Sequence, residues 1–169
     1  MIYGLARRAR FFMICLGLAG AVAASAWFAD RYSASIAGTA HVIDGDSLVV
    51  GGEEIRIEGI DAPELHQTCL RSGKPWSCGV DAAQALRNAV GGKEVLCRPH
   101  DRDRYGRTVA SCQAAGLDLG AAMVKGGFAV SYGGYRADER DARDARRGIW
   151  ASSFDQPADW RARHPRPPR

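Results

Sequence analysis

Short apolar runs broken by turn residues fill the first half of the chain, and helical spacing takes over in the second. Thr39, His41, Val42 and Ile43 precede Asp44-Gly45, and Leu48-Val49-Val50 leads to Gly51-Gly52. Asp-Gly between β-forming residues is a strong turn signal, so each run reads as a strand. Glu54 to Glu58 alternates polar and apolar with the period of a half-buried strand. Ala62-Pro63 ends that pattern, and residues 65–79, with Gly73, Pro75 and Gly79 as breakers, read as a loop.

Ala82, Ala85, Leu86, Ala89 and Val90 share one face at helical spacing, which predicts a helix from about Asp81 to Val90, stopped by Gly91-Gly92. Glu94 to Cys97 and Arg107 to Cys112 read as two more strands joined through Asp101 to Gly106. Asp118 is placed to cap a short helix carrying Leu119, Ala122 and Met123. A charged helix follows over 137–147, with Gly148 as its cap and Ile149-Trp150 as a bulky anchor. No internal repeat is present. This order predicts an α+β fold: a small five-stranded Greek-key barrel of the OB type with about three helices. The expected domain runs over 38–152, after a polar lead-in at 27–37. The Pro- and Arg-rich tail, 153–169, is expected to be disordered.

The N-terminus has a different pattern. Arg7, Arg8 and Arg10 precede an uncharged run from Phe11 to Ala26 that closes on Ala24-Ser25-Ala26. Basic flank, apolar stretch and small-residue end predict a signal peptide over 1–26, hence a periplasmic or secreted protein. The alternative is a retained membrane anchor over 11–27, since about 17 apolar residues approach the length of a bilayer span. Phe12-Met13-Ile14 before Cys15 lacks the small residues of a lipidation site.

Export changes how the cysteines read. Behind the leader lie Cys69, Cys78, Cys97 and Cys112, an even set with three possible pairings. Cys69–Cys78 would close a short loop, and Cys97–Cys112 would join two strands of a hairpin centred on Arg104-Tyr105. A zinc site with His66 or His100 is the rival, disfavoured because no C-x-x-C pair exists. The formal charge of +4 excludes little. Three arginines sit in the leader and four follow Trp160; without these, 16 basic residues face 19 acids. A coating polycation would look different, so any phosphate contact must come from a few placed arginines.

Three clusters carry candidate chemistry: Asp44-Gly45-Asp46-Ser47 at a bend, Arg56 to Glu64 at a strand end, and Asp103-Arg104-Tyr105-Gly106-Arg107 on the hairpin. Taken singly they are a turn, a solvated strand residue with its exit, and a hairpin tip. Together they supply what phosphodiester cleavage needs. Carboxylates can hold a hard cation. Guanidinium groups can grip phosphate oxygens and the extra charge of the transition state. Another carboxylate can take a proton from water.

The order and spacing of these clusters resemble the staphylococcal nuclease family over roughly residues 38–150, as do Gly127-Phe128-Ala129 and Gly148-Ile149-Trp150. The resemblance implies a nuclease acting on DNA, RNA or both, an endonuclease by expectation and a monomer. It implies one calcium ion, rather than magnesium, on Asp46, Asp61 and the main-chain carbonyl of Ala62. Arg56 and Arg107 would grip the scissile phosphate, and Glu64 would serve the attacking water. Arg104 and Tyr105 would sit near a terminal phosphate. Tyr132, or else Tyr135, could stack on a base. Ser47 stands where the best-known member has threonine, and the loop after Glu64 is longer, with its two cysteines. The alternative is a non-catalytic nucleic-acid-binding OB module, which would not require this acidic set.

Overall fold

The computed structural model describes residues 35–165. The expected leader or anchor, most of the lead-in and residues 166–169 lie outside the described residues. Ten strands occur among the described residues: β1 Ile36–Val42, β2 Ser47–Val50, β3 Glu53–Ile57, β4 Ile60–Asp61, β5 Cys69–Arg71, β6 Lys74–Trp76, β7 Glu94–Arg102, β8 Thr108–Ala114, β9 Leu117–Asp118 and β10 Val130–Ser131. The helices are α1 Cys78–Val90, α2 Leu119–Lys125, α3 Arg136–Asp144 and α4 Pro157–Arg163, with a 3-10 turn at Gly148–Ala151.

Five strands close a barrel. β1, β2 and β3 form an antiparallel meander, β7 pairs with the start of β1, and β8 pairs with β7. The parallel pair β3–β8 shuts the cylinder, with Arg56 opposite Val109. That connectivity is the OB type anticipated from the element order. Alternation decides what goes inside. Leu48, Val50, Ile55, Ile57, Val95, Cys97, Ala110 and Cys112 line the core, while Arg56 points to the other face of β3. Helix α1 covers the barrel with Ala82, Leu86 and Val90, and ends where Gly91 turns left-handed at φ 59°. Asp118 caps α2 as expected, accepting from Ala121 N at 2.9 Å.

The structure corrects three expectations. Among the described residues there are four helices, where about three were expected. Residues 65–79 are not simply a loop: β5 and β6 form a hairpin around Ser72-Gly73, both at positive φ, as a tight two-residue turn requires. The glycine and proline read as breakers are its turn and edge residues. Nor is the tail structureless over 153–165. Leu70 and Ser153 exchange backbone hydrogen bonds of 2.8 and 2.9 Å, and Gln67 Nε2 donates to the Asp155 carbonyl at 2.8 Å. Pro157 then opens α4 in a first-turn position, where proline loses no helical hydrogen bond.

Both expected disulfides are formed. Cys97 and Cys112 face each other across β7–β8, with Cα atoms 4.1 Å apart, and Cys69–Cys78 ties β5 to the start of α1, at 5.7 Å. None of these cysteines is left for zinc. The Cys69–Cys78 bridge sits with Ile149 in a second small core, flanked by Trp76, Trp150 and Phe154.

Candidate active site

The bend between β1 and β2 is held tightly. Ile43 N–H donates to the Ser47 carbonyl at 2.9 Å, and Asp46 N–H to Asp44 Oδ1 at 3.1 Å. A side chain on Gly45 would strike Ala62 Cβ and Ala82 Cβ at 2.6 and 2.8 Å, so the bend lies flat against the strand exit and α1. That contact brings the first two sequence clusters together. Asp46 is buried, and its carboxylate accepts from Ser47 Oγ (2.8 Å), Arg56 Nη1 (3.1 Å) and Ala62 N–H (2.9 Å).

Arg56 reaches both carboxylates. Its Nη2 donates to Asp61 Oδ1 at 2.7 Å and to the Ile60 carbonyl at 3.4 Å. Burial alone would lower its pKa, but attraction to Asp46 and Asp61 outweighs that and holds the guanidinium above its usual value. The Asp46 pKa is raised as well, from 3.8 up to about 7: burial raises it, Arg56 opposes, and Asp44 and Asp61 add repulsion. β4 carries Asp61 and pairs with β10, which sets Tyr132 beside the site with its N–H on the Gly59 carbonyl at 3.0 Å. Tyr132 is exposed and within electrostatic reach of Arg56. Tyr135, the other stacking candidate, is engaged by α2. It packs on Gly120 and donates to Asp118 at 3.1 Å, and burial with that acid raises its pKa to about 12.

On the hairpin, Asp103 Oδ1 accepts from the N–H groups of Tyr105 and Arg107 at 2.9 and 3.0 Å, and Oδ2 from Arg107 Nε at 2.7 Å. Burial would raise the Asp103 pKa, yet these bonds win and lower it. Arg107 Nη1 then donates to Ser47 Oγ at 3.4 Å, which joins the third cluster to the first. Arg104 and Tyr105 form the solvent-facing tip, the guanidinium 4.9 Å from the ring centroid.

Glu64 is nearly buried. Its N–H donates to Gln67 Oε1 at 3.2 Å, and its carbonyl accepts from Gln67 N–H at 2.7 Å. Gly79 lies so close that any Cβ there would collide with the Glu64 carbonyl oxygen. Sequence reading missed Gln67 and Gly79, and it also missed Arg161. From α4, Arg161 Nη1 donates to Asp61 Oδ1 (2.8 Å) and Glu64 Oε1 (3.1 Å), and Nη2 to Asp61 Oδ2 (3.0 Å). Pro157 as a helix opener, with Arg161 one turn on, was the available signal.

Asp46, Arg56, Asp61, Ala62, Glu64 and Arg107 thus form one connected group, with Tyr132 at its edge. Among the described residues, no three His, Cys, Asp or Glu side chains converge closely enough to hold an ion by themselves. Any cation would need main-chain or water oxygens as well, which suits a hard ion.

Fold and site together define an OB-type barrel domain bearing an arginine-flanked carboxylate site. Residues 54–152 match the family described as staphylococcal nuclease homologue, and the chain belongs to that family. The match takes in Arg56, Asp61, Ala62, Glu64, Arg104, Tyr105, Arg107 and Tyr132, but not the Asp44–Ser47 bend or Arg161. Similar proteins include the succinoglycan biosynthesis protein ExoI of Rhizobium meliloti (strain 1021), 36% identical over 123 residues, covering 68% of this chain and 64% of that one. The probable staphylococcal-like nuclease CAN1 of Oryza sativa subsp. japonica is 36% identical over 124 residues, covering 69% and 35%. An uncharacterized endonuclease of Escherichia coli O157:H7 is 34% identical over 134 residues, covering 73% and 81%. The chain therefore spans less than two thirds of the first two and most of the third.

Proposed function

We propose that this chain is a calcium-dependent nuclease that hydrolyses phosphodiester bonds of DNA, RNA or both, cutting internally. One observation carries the proposal: two arginines from different strands meet the same carboxylate-rich group, Arg56 through Asp46 and Asp61, Arg107 through Ser47. Family membership and the endonuclease naming of relatives support it.

Asp46, Asp61 and the Ala62 carbonyl would hold the ion. The donors are all oxygen, which fits a hard divalent cation. When bound, such an ion offsets phosphate charge and acts as a Lewis acid. The chain's own residues do the rest. Arg56 and Arg107 each keep N–H groups that, among the described residues, are not committed to the bonds above; these would bind the phosphate oxygens and strengthen their hold as charge builds in the transition state. Glu64, fixed through its backbone by Gln67, would orient water and take its proton. Tyr132 would stack on a base, and Arg104 with Tyr105 would meet a neighbouring phosphate. Two disulfides support an exported protein, since such bonds persist in oxidising compartments.

The test is cleavage of plasmid, single-stranded DNA and RNA. Activity should vanish in EGTA and return with calcium. Undiminished cutting in EGTA would exclude the calcium requirement, and binding without cutting under all conditions would leave a non-catalytic module.

A further inference from the structure

Arg161 lies a hundred residues from Asp61 in the sequence, yet it makes the most extensive contact to that carboxylate. Its two Nη atoms take both Asp61 oxygens, and Nη1 also takes Glu64 Oε1. The side chain is 36% exposed, so it enters from the solvent side over residues that are 10% and 11% exposed. Its position is built into the fold. The Leu70–Ser153 backbone pair, the Gln67–Asp155 bond and the buried Pro157 fix the start of α4. Gln67 also holds Glu64, so the anchor of α4 and the shelf under the carboxylate are one piece.

The charges around the site explain why the guanidinium settles there. Asp46 and Asp61 pair with Arg56, Asp61 and Glu64 pair with Arg161, and Asp44 adds a further negative charge beside Asp46. A divalent ion on Asp61 would need oxygen lone pairs that Arg161 now uses, and two cations at one carboxylate repel.

We infer that Arg161 is a tethered counter-cation that competes with the divalent ion for Asp61 while it pairs with Glu64, so that ion uptake is coupled to release of the α4 guanidinium. This rests on the proposal that the cluster binds a divalent cation. The device stabilises the cluster before the ion arrives and weakens ion affinity by the fraction of molecules in which Arg161 is seated. Arg161 is a positioning residue in this account: it acts through the two carboxylates.

Titration calorimetry of calcium into the full chain and its Arg161→Gln variant tests the inference without measuring catalysis. The variant should bind calcium about tenfold more tightly, as expected if the competent fraction is near one tenth. Arg163→Gln, on the same helix but directed at Asp155 and the Asp159 carbonyl, should leave the affinity as it was. Equal or weaker affinity in Arg161→Gln, or equal tightening in Arg163→Gln, would overturn the competition. The wild-type chain gives a second reading that does not depend on a variant's folding. The Arg161 Nε–H signal in nitrogen-15 NMR should shift on calcium saturation, and an unmoved signal at saturation would count against release. Calcium binding to neither chain would instead overturn the cation site itself, and the inference with it.

Discussion

Glu64 and Asp103 are both carboxylates, but their surroundings give them different work. Glu64 is nearly buried and fixed through its backbone, while its side chain meets Arg161. If it takes a proton from water, Glu64→Gln keeps the shape and loses the base. Turnover should fall by about 10²–10⁴-fold with substrate affinity retained. A near-wild-type rate in a single-turnover assay would remove Glu64 from that role. Asp103 holds Arg107 by two hydrogen bonds, and its pKa lies below the usual carboxylate range. A lowered folded-state pKa means the stabilisation is present above the ordinary aspartate range and is lost as pH falls through the folded value. Acidification should therefore loosen the 102–108 hairpin. Protection factors of its amides, corrected for the intrinsic pH dependence of exchange, should fall toward low pH in the wild type, while Asp103→Asn should show low protection at every pH. The same variant should lower kcat/KM about tenfold at neutral pH, because Arg107 loses its orientation.

At the scale of elements, legibility followed sequence distance. Asp46, Arg56, Asp61, Glu64 and Arg107 could be picked out because each sits in a short motif at a strand end or turn. Barrel order could be read because β1 to β3 and the β7–β8 hairpin are built from neighbouring segments. Arg161 and Gln67 could not, because their partners lie far along the chain: Pro157 signals a helix start before Arg161, but nothing local says what that helix meets. The β5–β6 hairpin was hidden for a different reason: its apolar content is low, and its stability comes from Cys69–Cys78 and the Ser153 pairing rather than from alternation. Gly79 joins this hairpin region to the site. Since a Cβ would collide with the Glu64 carbonyl, Gly79→Ala must push α1 away from the Glu64 loop. Overpacking of this kind costs about 1–3 kcal/mol, so the urea midpoint should drop and turnover should fall at least tenfold. Val80→Ala, one residue on and exposed, is the control expected to leave both unchanged. An unaltered rate in Gly79→Ala would mean that Glu64 does not need this support.

At the scale of the whole molecule, charge decides how a long polyanion can be held. Of 23 basic and 19 acidic residues, six basic and one acidic lie outside residues 35–165, leaving 17 against 18. The nearly neutral body cannot bind nucleic acid as a broad polycation. Many of its arginines are also spoken for, as Arg102 is by Glu53, Arg143 by Glu139 and Arg163 by Asp155. Among the described residues, Arg56, Arg104 and Arg107 are the arginines assigned to phosphates in the proposed mode. Each phosphate contact on a single strand contributes a slope of about 0.7 in the logarithm of affinity against the logarithm of salt. Three contacts therefore predict a slope of about −2. The measurement is fluorescence anisotropy of a single-stranded oligonucleotide with the Glu64→Gln variant in calcium, so that cleavage does not intrude. Arg107→Gln should make the slope shallower by about 0.7. A slope steeper than about −5 would mean that a wide basic surface, such as the arginines of α3, dominates binding, and the placed-arginine account would then fail.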